Sequence, residues 1–360
     1  MEQIYVTGHR NPDTDSVVSA MAYAALRNAL GERQYVAARL GHCSDETRLI
    51  LNRFGFEPPL LIKTMRTQVQ DLDFDVPPIL HEAATVNRAW SVMEEDKQIS
   101  AIPITDDEGR LRGMLTAGDI AGFDMETITD PTLRKVPLFN ILSVLEGQLL
   151  NETEDVVNTI SGEVVLALPQ GTELPPFRQK DTILICGHQP EMLRQAVEFG
   201  VACVILCQAE LPEDIRAVAG KTCILSTPYD SYRAVRRIFQ AIPVGRIARK
   251  EDLQLFHLTD YLDDVREVVL QSRYRSYPVL DSGEKVVGTL SRYHLIKPRR
   301  KQVVLVDHNE ASQSVPGLEQ ADILAIIDHH RLADIQTKNP VYMRNEPVGS
   351  TCTIVAGMYQ

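Results

Sequence analysis

His9-Arg10-Asn11-Pro12-Asp13-Thr14-Asp15-Ser16 follows the apolar run Ile4-Tyr5-Val6-Thr7 and precedes the apolar segment Val17 to Leu26. A short apolar run, a polar turn and a longer apolar segment read as strand, loop and helix, with Asp15 or Ser16 as the helix cap. Tyr35 to Leu40 and a helix from Asp45 to Phe54 repeat the pattern, so the chain opens βαβα before Pro58-Pro59 marks a boundary. Far downstream two more apolar runs end alike: Val303 to Val306 runs into Asp307-His308, and Ile323 to Ile327 into Asp328-His329-His330. In an open parallel sheet, ligands gather beyond the carboxyl ends of the strands. His9, Asp13, Asp15, Asp307, Asp328, His329 and His330 are therefore expected along one edge.

That donor set mixes carboxylate oxygen with imidazole nitrogen, which suits Mn²⁺, Co²⁺ or Zn²⁺, whereas an all-oxygen set would suit Mg²⁺ or Ca²⁺. There are more donors than one ion needs. Two ions roughly 3.5–4 Å apart, joined by a carboxylate, can activate water and neutralise phosphoryl oxygens during an in-line displacement. Each cluster also has a plainer reading. Asn11 to Ser16 alone is equally an Asx-turn with a helix cap, and Asp328 is open between ligand and orienter of a neighbouring histidine. His308 reads as a group that donates to a backbone carbonyl rather than as a ligand. The same chemistry at three strand ends is what favours metal.

Composition narrows the alternatives. The 360 residues are 44% hydrophobic and 24% charged, with a formal net charge of −12. A broad sequence-independent grip on nucleic acid or on an anionic membrane is not expected from such a balance. No run approaches the ~20 apolar residues of a membrane span, and no signal-peptide core precedes Ile4, so a cytoplasmic protein is expected. The six cysteines (Cys43, Cys186, Cys203, Cys207, Cys223, Cys352) lack paired zinc-type spacing and read as reduced core residues.

Between the strand-end clusters lies a repeat. Ile99 to Ile120 and Arg275 to Ile296 both run strand, Asp/Gly-containing hairpin turn, strand ending in Gly-x-Leu, then a Ser- or Thr-capped helix. Each is preceded by an amphipathic helix, Val86 to Asp96 and Leu262 to Ser272. The repeat resembles the cystathionine-β-synthase (CBS) motif, which pairs to bind adenine nucleotides. That resemblance implies Thr116 and Asp119 at a ribose, Ser100 lining the facing strand, and Arg275 or Arg292 at phosphate. Tyr277 either stacks on adenine or fills the core. The second copy has Ser291-Arg292-Tyr293-His294, so the ribose acid is missing there. Between the copies, strands at Glu163 to Leu168, Thr182 to Gly187, Val201 to Cys207 and Cys223 to Ser226 alternate with helices at Glu191 to Phe199 and Ser231 to Ile242. This segment resembles the DRTGG domain, without a literal Asp-Arg-Thr-Gly-Gly string.

His9 to Ser16, Val306-Asp307-His308-Asn309-Glu310, Asp328-His329-His330 and Gly349-Ser350-Thr351-Cys352-Thr353 together resemble the DHH phosphoesterases, and within them the manganese-dependent family II inorganic pyrophosphatases of the CBS/DRTGG-containing subgroup. The fold class expected is α/β: a parallel-sheet DHH domain interrupted by two CBS motifs flanking a DRTGG-like α/β domain. The expected parts are 1–63 and 299–360 for the DHH domain, 64–127 and 246–298 for the CBS motifs, and 139–245 for the DRTGG-like domain. The resemblance makes His9 and Asp13 ligands of one Mn²⁺ or Co²⁺, Asp15 and His329 ligands of a second, and Asp307 their bridge. His330 meets substrate phosphate and Asp328 supports the histidines. Pyrophosphate arriving with Mg²⁺ is the implied substrate. AMP, ADP and diadenosine polyphosphates are the implied regulators, and a homodimer the implied assembly. In that family a further metal-binding aspartate and a second domain with a basic substrate clamp follow the Gly-Ser-Thr segment, so a protein ending at Gln360 is expected to hydrolyse pyrophosphate poorly or not at all. The competing expectations are a DHH phosphodiesterase acting on cyclic dinucleotides or short oligonucleotides, and a non-catalytic adenine-nucleotide sensor.

Overall fold

A computed structural model describes residues 3–31, 34–151, 158–167, 177–296 and 299–360. Leu168 of an expected strand and Pro298 of an expected boundary lie outside them. Two compact units emerge: Met1–Phe74, Phe256–Tyr274 and Ser291–Gln360 form the first, Asp75–Leu255 and Arg275–Leu290 the second.

The first unit is built on one parallel sheet. Its strands are β1 (Gln3–Thr7), β2 (Gln34–Arg39), β3 (Leu60–Leu61), β4 (Gln302–Val306), β5 (Asp322–Asp328) and β6 (Tyr342–Asn345), in the spatial order β6-β5-β4-β1-β2-β3. The chain winds outward from β1 to β3, then returns to the other edge of β1 and winds outward again to β6. The direction therefore reverses between β1 and β4, and loops leaving those two strands part to leave a crevice. β4 is apolar at every position from Val303 to Val306 because both its faces are covered. Val304 and Val306 face α1 (Thr14–Ala29) and α3 (Thr351–Met358) in a cluster with Ile4, Val6, Tyr23, Ile327 and Ile354. Val303 and Leu305 point the other way, toward Leu40, Met65, Leu318 and Ile326. Between β2 and β3, α2 (Asp45–Phe54) is capped by Ser44 and closed by Gly55 in the left-handed conformation.

One boundary differs from the sequence reading. The cap of α1 is Asp13, not Asp15 or Ser16, and its side chain accepts the Ser16 N–H at 2.9 Å. An N-cap carboxyl reaches the amide three residues on, so Asp13 and Ser16 are at cap spacing and the helix begins at Thr14.

The second unit contains a six-stranded sheet in the order Thr132–Pro137, Thr159–Leu166, Thr182–Cys186, Cys203–Cys207, Cys223–Thr227, Gln148–Leu149; the four inner strands are parallel and the edges antiparallel. Cys203, Cys207 and Cys223 lie buried in one cluster with Ile183 and Ile205, and all six cysteines are free thiols. Burial pushes the Cys186 thiol up to about 12. The repeat is visible down to its turns. Asp106 Oδ1 accepts from Glu108 N (3.0 Å) and Arg110 N (2.9 Å), and Asp281 Oδ1 accepts from Gly283 N (2.8 Å) and Lys285 N (2.9 Å). The two hairpins are themselves joined, with Val286 N donating to Gly109 O at 3.1 Å. After its hairpin the first copy has the expected capped helix (Ala117–Thr129), but the second has only the four-residue 3₁₀ turn Arg292–Leu295.

Candidate metal centre

The site is assembled from the loops at the β1/β4 reversal. Gly8 follows β1 directly, and a Cβ there would sit 1.8 Å from Ser16 Oγ. Only glycine lets the loop close over the head of α1, where Ser16 Oγ accepts the His9 N–H at 2.9 Å. Arg10 N donates to Gln313 O at 2.7 Å, tying that loop to the β4–β5 connection. Asp307 ends β4 with φ +62°, in the left-handed region that a non-glycine residue occupies at a cost.

Asp307 is 1% exposed and lies between two imidazoles: its Oδ2 is 3.5 Å from His9 Nε2 and its Oδ1 3.5 Å from His329 Nε2. His9 Nε2 is 3.8 Å from Asp13 Oδ1, His329 Nε2 is 3.9 Å from Asp15 Oδ2, and His330 Nδ1 is 4.0 Å from Asp307 Oδ1. These gaps are too long for hydrogen bonds. The gaps at His9 and His329 suit two donors on one ion, because ligands each ~2.1 Å from a metal and about 110° apart are ~3.4 Å from each other; His330 Nδ1 is not such a donor, since it is engaged with Asp328 Oδ1 at 2.8 Å. Two donor groups form in this way, His9–Asp13–Asp307 and Asp307–His329–His330, each with its atoms within 4.8 Å of one another. Asp307 belongs to both. Asp15 stands at the second group with both oxygens held by the start of α3, from Thr351 N (2.7 Å) and Cys352 N (2.8 Å).

The charge balance of this cluster asks for cations. Burial, then the neighbouring Asp15 and Asp13 charges, push the Asp307 carboxyl up to about 8, against a hydrogen bond from Thr351 Oγ1 (3.0 Å). Burial also opposes the ionised form of Asp15, but the Cys352 and Thr351 donors outweigh it and hold that group below its ordinary value. Burial lowers His9, partly offset by Asp13, and it raises the Cys352 thiol together with Asp15. Without metal, the buried acids cannot all be ionised at neutral pH. Two divalent cations would remove that conflict, so the donor set fits them.

The histidines are preset. His329 Nδ1 faces Val348 O at 3.0 Å and must carry the proton, which leaves the Nε2 lone pair toward the acids. Asp328 is fully buried; its Oδ1 accepts from His329 N (2.8 Å), His330 N (3.2 Å) and His330 Nδ1 (2.8 Å), which is the orienting alternative of the sequence reading. His308 donates from Nδ1 to Val306 O at 3.0 Å, and burial pushes it down to about 4, so it stays neutral. Gly8 was not singled out from sequence, and Thr351 and Asn309 were quoted within their motifs without a role. Asn309 donates to Asp328 Oδ2 and to Arg331 O (3.0 Å), and accepts from Ala333 N (2.6 Å).

The sequence matches the DHH family, N-terminal domain, over residues 3–360. The chain belongs to the DHH family. Two curated relatives match nearly all of it: a cobalt-dependent inorganic pyrophosphatase of Clostridium perfringens, 41% identical over 98% of this chain and 65% of its own length, and a probable manganese-dependent inorganic pyrophosphatase of Thermotoga maritima, 31% identical over 100% of this chain and 66% of its own. The chain thus spans about two thirds of the length of these relatives. The crystal structure of the CBS and DRTGG domains of the regulatory region of the Clostridium perfringens pyrophosphatase, complexed with the activator diadenosine tetraphosphate, is similar over 63% of this chain and 100% of its own, with a TM-score of 0.57 and 30% identity. This DHH-family chain therefore has the expected fold class, a parallel-sheet DHH domain interrupted by CBS and DRTGG domains.

In the insert of this DHH-family protein, Ser100 and Arg275 are exposed. Asp119 Oδ2 accepts from Thr116 N (2.8 Å) and Thr116 Oγ1 (2.6 Å), so both residues form a capping box at the head of Ala117–Thr129. Two placements bear on alternatives that the sequence leaves open. Tyr277 is 0% exposed, so its ring fills the core of the second unit rather than offering a stacking face. Arg292 donates to Ser272 O (2.6 Å) and Val269 O (3.3 Å), closing the end of Leu262–Gln271 instead of waiting for phosphate. Among the described residues no helix is long and apolar enough to cross a membrane.

Proposed function

We propose that the strand-end site is a two-metal centre hydrolysing inorganic pyrophosphate to two phosphates. The observation that carries this reading is Asp307, a buried carboxylate with one oxygen 3.5 Å from His9 Nε2 and the other 3.5 Å from His329 Nε2. His9 and Asp13 would hold one ion, Asp15 and His329 the other, with Asp307 shared. Such a pair, Mn²⁺ or Co²⁺, supplies charge to phosphoryl oxygens and acidifies water. Asp328 accepts from His330 Nδ1 and so supports a second proton on Nε2 of this half-exposed side chain, which as an imidazolium would donate to a phosphate oxygen. The regulatory part of the proposal is that adenine nucleotides (AMP, ADP, diadenosine polyphosphates) bind the CBS pair near Ser100, Thr116, Asp119 and Arg275. The substrate is taken with Mg²⁺, the protein acts as a cytoplasmic homodimer, and the parts follow the boundaries given from sequence. The names of the relatives support this reading.

The test is phosphate release from pyrophosphate after Mn²⁺ or Co²⁺ loading, with metal content measured alongside. Two ions per chain are expected, with slow turnover of pyrophosphate that is lost in Asp307→Ala. A chain that binds no Mn²⁺ or Co²⁺, or that cleaves a cyclic dinucleotide or short oligonucleotide in preference to pyrophosphate, overturns the assignment. Absence of any AMP, ADP or diadenosine tetraphosphate binding by calorimetry removes the regulatory part.

A further inference from the structure

We infer that Asn309 is a positioning residue for the reaction, fixing the Asp328–His330 pair. Every hydrogen-bonding group of its amide is used: Nδ2 donates to Asp328 Oδ2 and to Arg331 O (3.0 Å), and Oδ1 accepts from Ala333 N (2.6 Å). The Ala333 N–H and the Arg331 carbonyl dictate which way the amide faces, since each can pair with only one end of it. Asn309 is 4% exposed and Asp328 0%, so water does not substitute for this contact. The amide therefore clamps one Asp328 oxygen while pinning the turn on either side of Arg331. The other oxygen is left to receive His330 Nδ1 at 2.8 Å and the two backbone amides at 2.8 and 3.2 Å. Without the clamp the buried carboxylate can rotate, and His330 loses the partner that fixes its tautomer and ring plane. Asparagine is suited to the position because an aspartate would set two buried carboxylates against each other, and alanine would leave Asp328 Oδ2 and two backbone groups unpaired.

The catalytic half of this inference rests on the pyrophosphate reading; the structural half does not, and the experiment separates them. In metal-free protein carrying ¹⁵N-labelled histidine, His330 is expected as the single Nδ1–H tautomer, and as a mixture in Asn309→Ala. In Mn²⁺-loaded protein, Asn309→Ala and Asn309→Asp are expected to lower kcat for pyrophosphate at least tenfold with two ions still bound and KM changed less than threefold. The exchanged pair Asn309→Asp with Asp328→Asn, which restores one amide-to-carboxylate bond, is expected to recover part of the loss. An unchanged His330 tautomer in Asn309→Ala overturns the inference whatever the activity, and so does a kcat within twofold of the parent. Loss of bound metal in step with kcat would also overturn it, by assigning Asn309 to the ligand loop. A parent protein that cleaves a cyclic dinucleotide but not pyrophosphate, with the tautomer still shifting in the variant, would sink the pyrophosphate reading and leave the positioning role standing.

Discussion

Asp307→Asn should make the metal-free protein more stable, not less. The carboxyl titrates at about 8 in the folded chain against 3.8 in the free side chain, because it is buried beside Asp15 and Asp13. A raised acid costs nothing below the unfolded value; the cost grows at ~1.4 kcal/mol per pH unit through the window from about 4 to 8 and is constant above it. By pH 7 most of the window has been crossed, which sets an upper bound on the order of 4 kcal/mol, reduced by whatever relaxation the loops allow. Asparagine keeps an acceptor for Thr351 Oγ1 and removes the charge. In EDTA at pH 7 the variant should gain a few kcal/mol, and by pH 4 the two proteins should converge. Mn²⁺ should reverse the order, because two ions bound only by the folded parent, each adding about 2.7 kcal/mol at a hundred times its Kd, together exceed that gain. Hydrogen exchange at the amides of β4 and β5 reads this locally, so unfolding of the second unit does not confuse the measurement. A variant less protected than the parent in EDTA at pH 7, or equal protection of both by Mn²⁺, would refute the argument that cations relieve this cluster.

Gly8→Ala is expected to cost about 1–3 kcal/mol, because its Cβ meets Ser16 Oγ at 1.8 Å and Ser16 O at 2.7 Å. Thermal unfolding should show that cost, and metal analysis should show weakened binding as His9 is displaced. Asp13→Ala removes the cap of α1 and should lower stability by about 1 kcal/mol even in EDTA; no change without metal would mean the side chain serves the ion alone. Arg292→Ala should destabilise the protein by about 1–2 kcal/mol through the freed Ser272 and Val269 carbonyls. AMP affinity measured by calorimetry should stay within twofold, and a tenfold loss would return Arg292 to a phosphate role.

The parallel sheet and the acid-histidine edge were legible because each signal is local. An apolar run closed by Asp-His can be read without knowing its neighbours, and Val303 to Val306 and Ile323 to Ile327 are such runs. The motif residues whose roles went unread act across the chain. Thr351 reaches Asp307 over 44 positions and Asn309 reaches Asp328 over 19, and nothing in the composition of either segment announces the pairing. Arg292 and Tyr277 stayed open between two readings for a related reason. Aligning two repeats says which residue occupies a position, but not whether a helix end or a core will claim it first. The departure at the missing acid of the second repeat has a local explanation only the structure supplies. His294 Nδ1 accepts from Ser291 N at 2.9 Å, so a neutral imidazole does for the second turn what the Asp119 carboxylate does for the first.

The central place of β1 has a consequence for the order in which the protein comes into being. β1 emerges from the ribosome shortly before its neighbour β2, but its other neighbour is β4, whose first residue is Gln302. At ~5–20 residues per second, roughly 15–60 s pass before that partner exists. Through that interval a nascent chain carries an open strand edge with Ile4 and Val6 waiting for cover, which is the kind of surface that recruits the wrong partner. The second unit can fold during the same interval. Asp15 waits longer still, since the amides that hold it belong to Thr351 and Cys352. Metal capture by both donor groups is therefore a late event in biogenesis, deferred until the insert has been made.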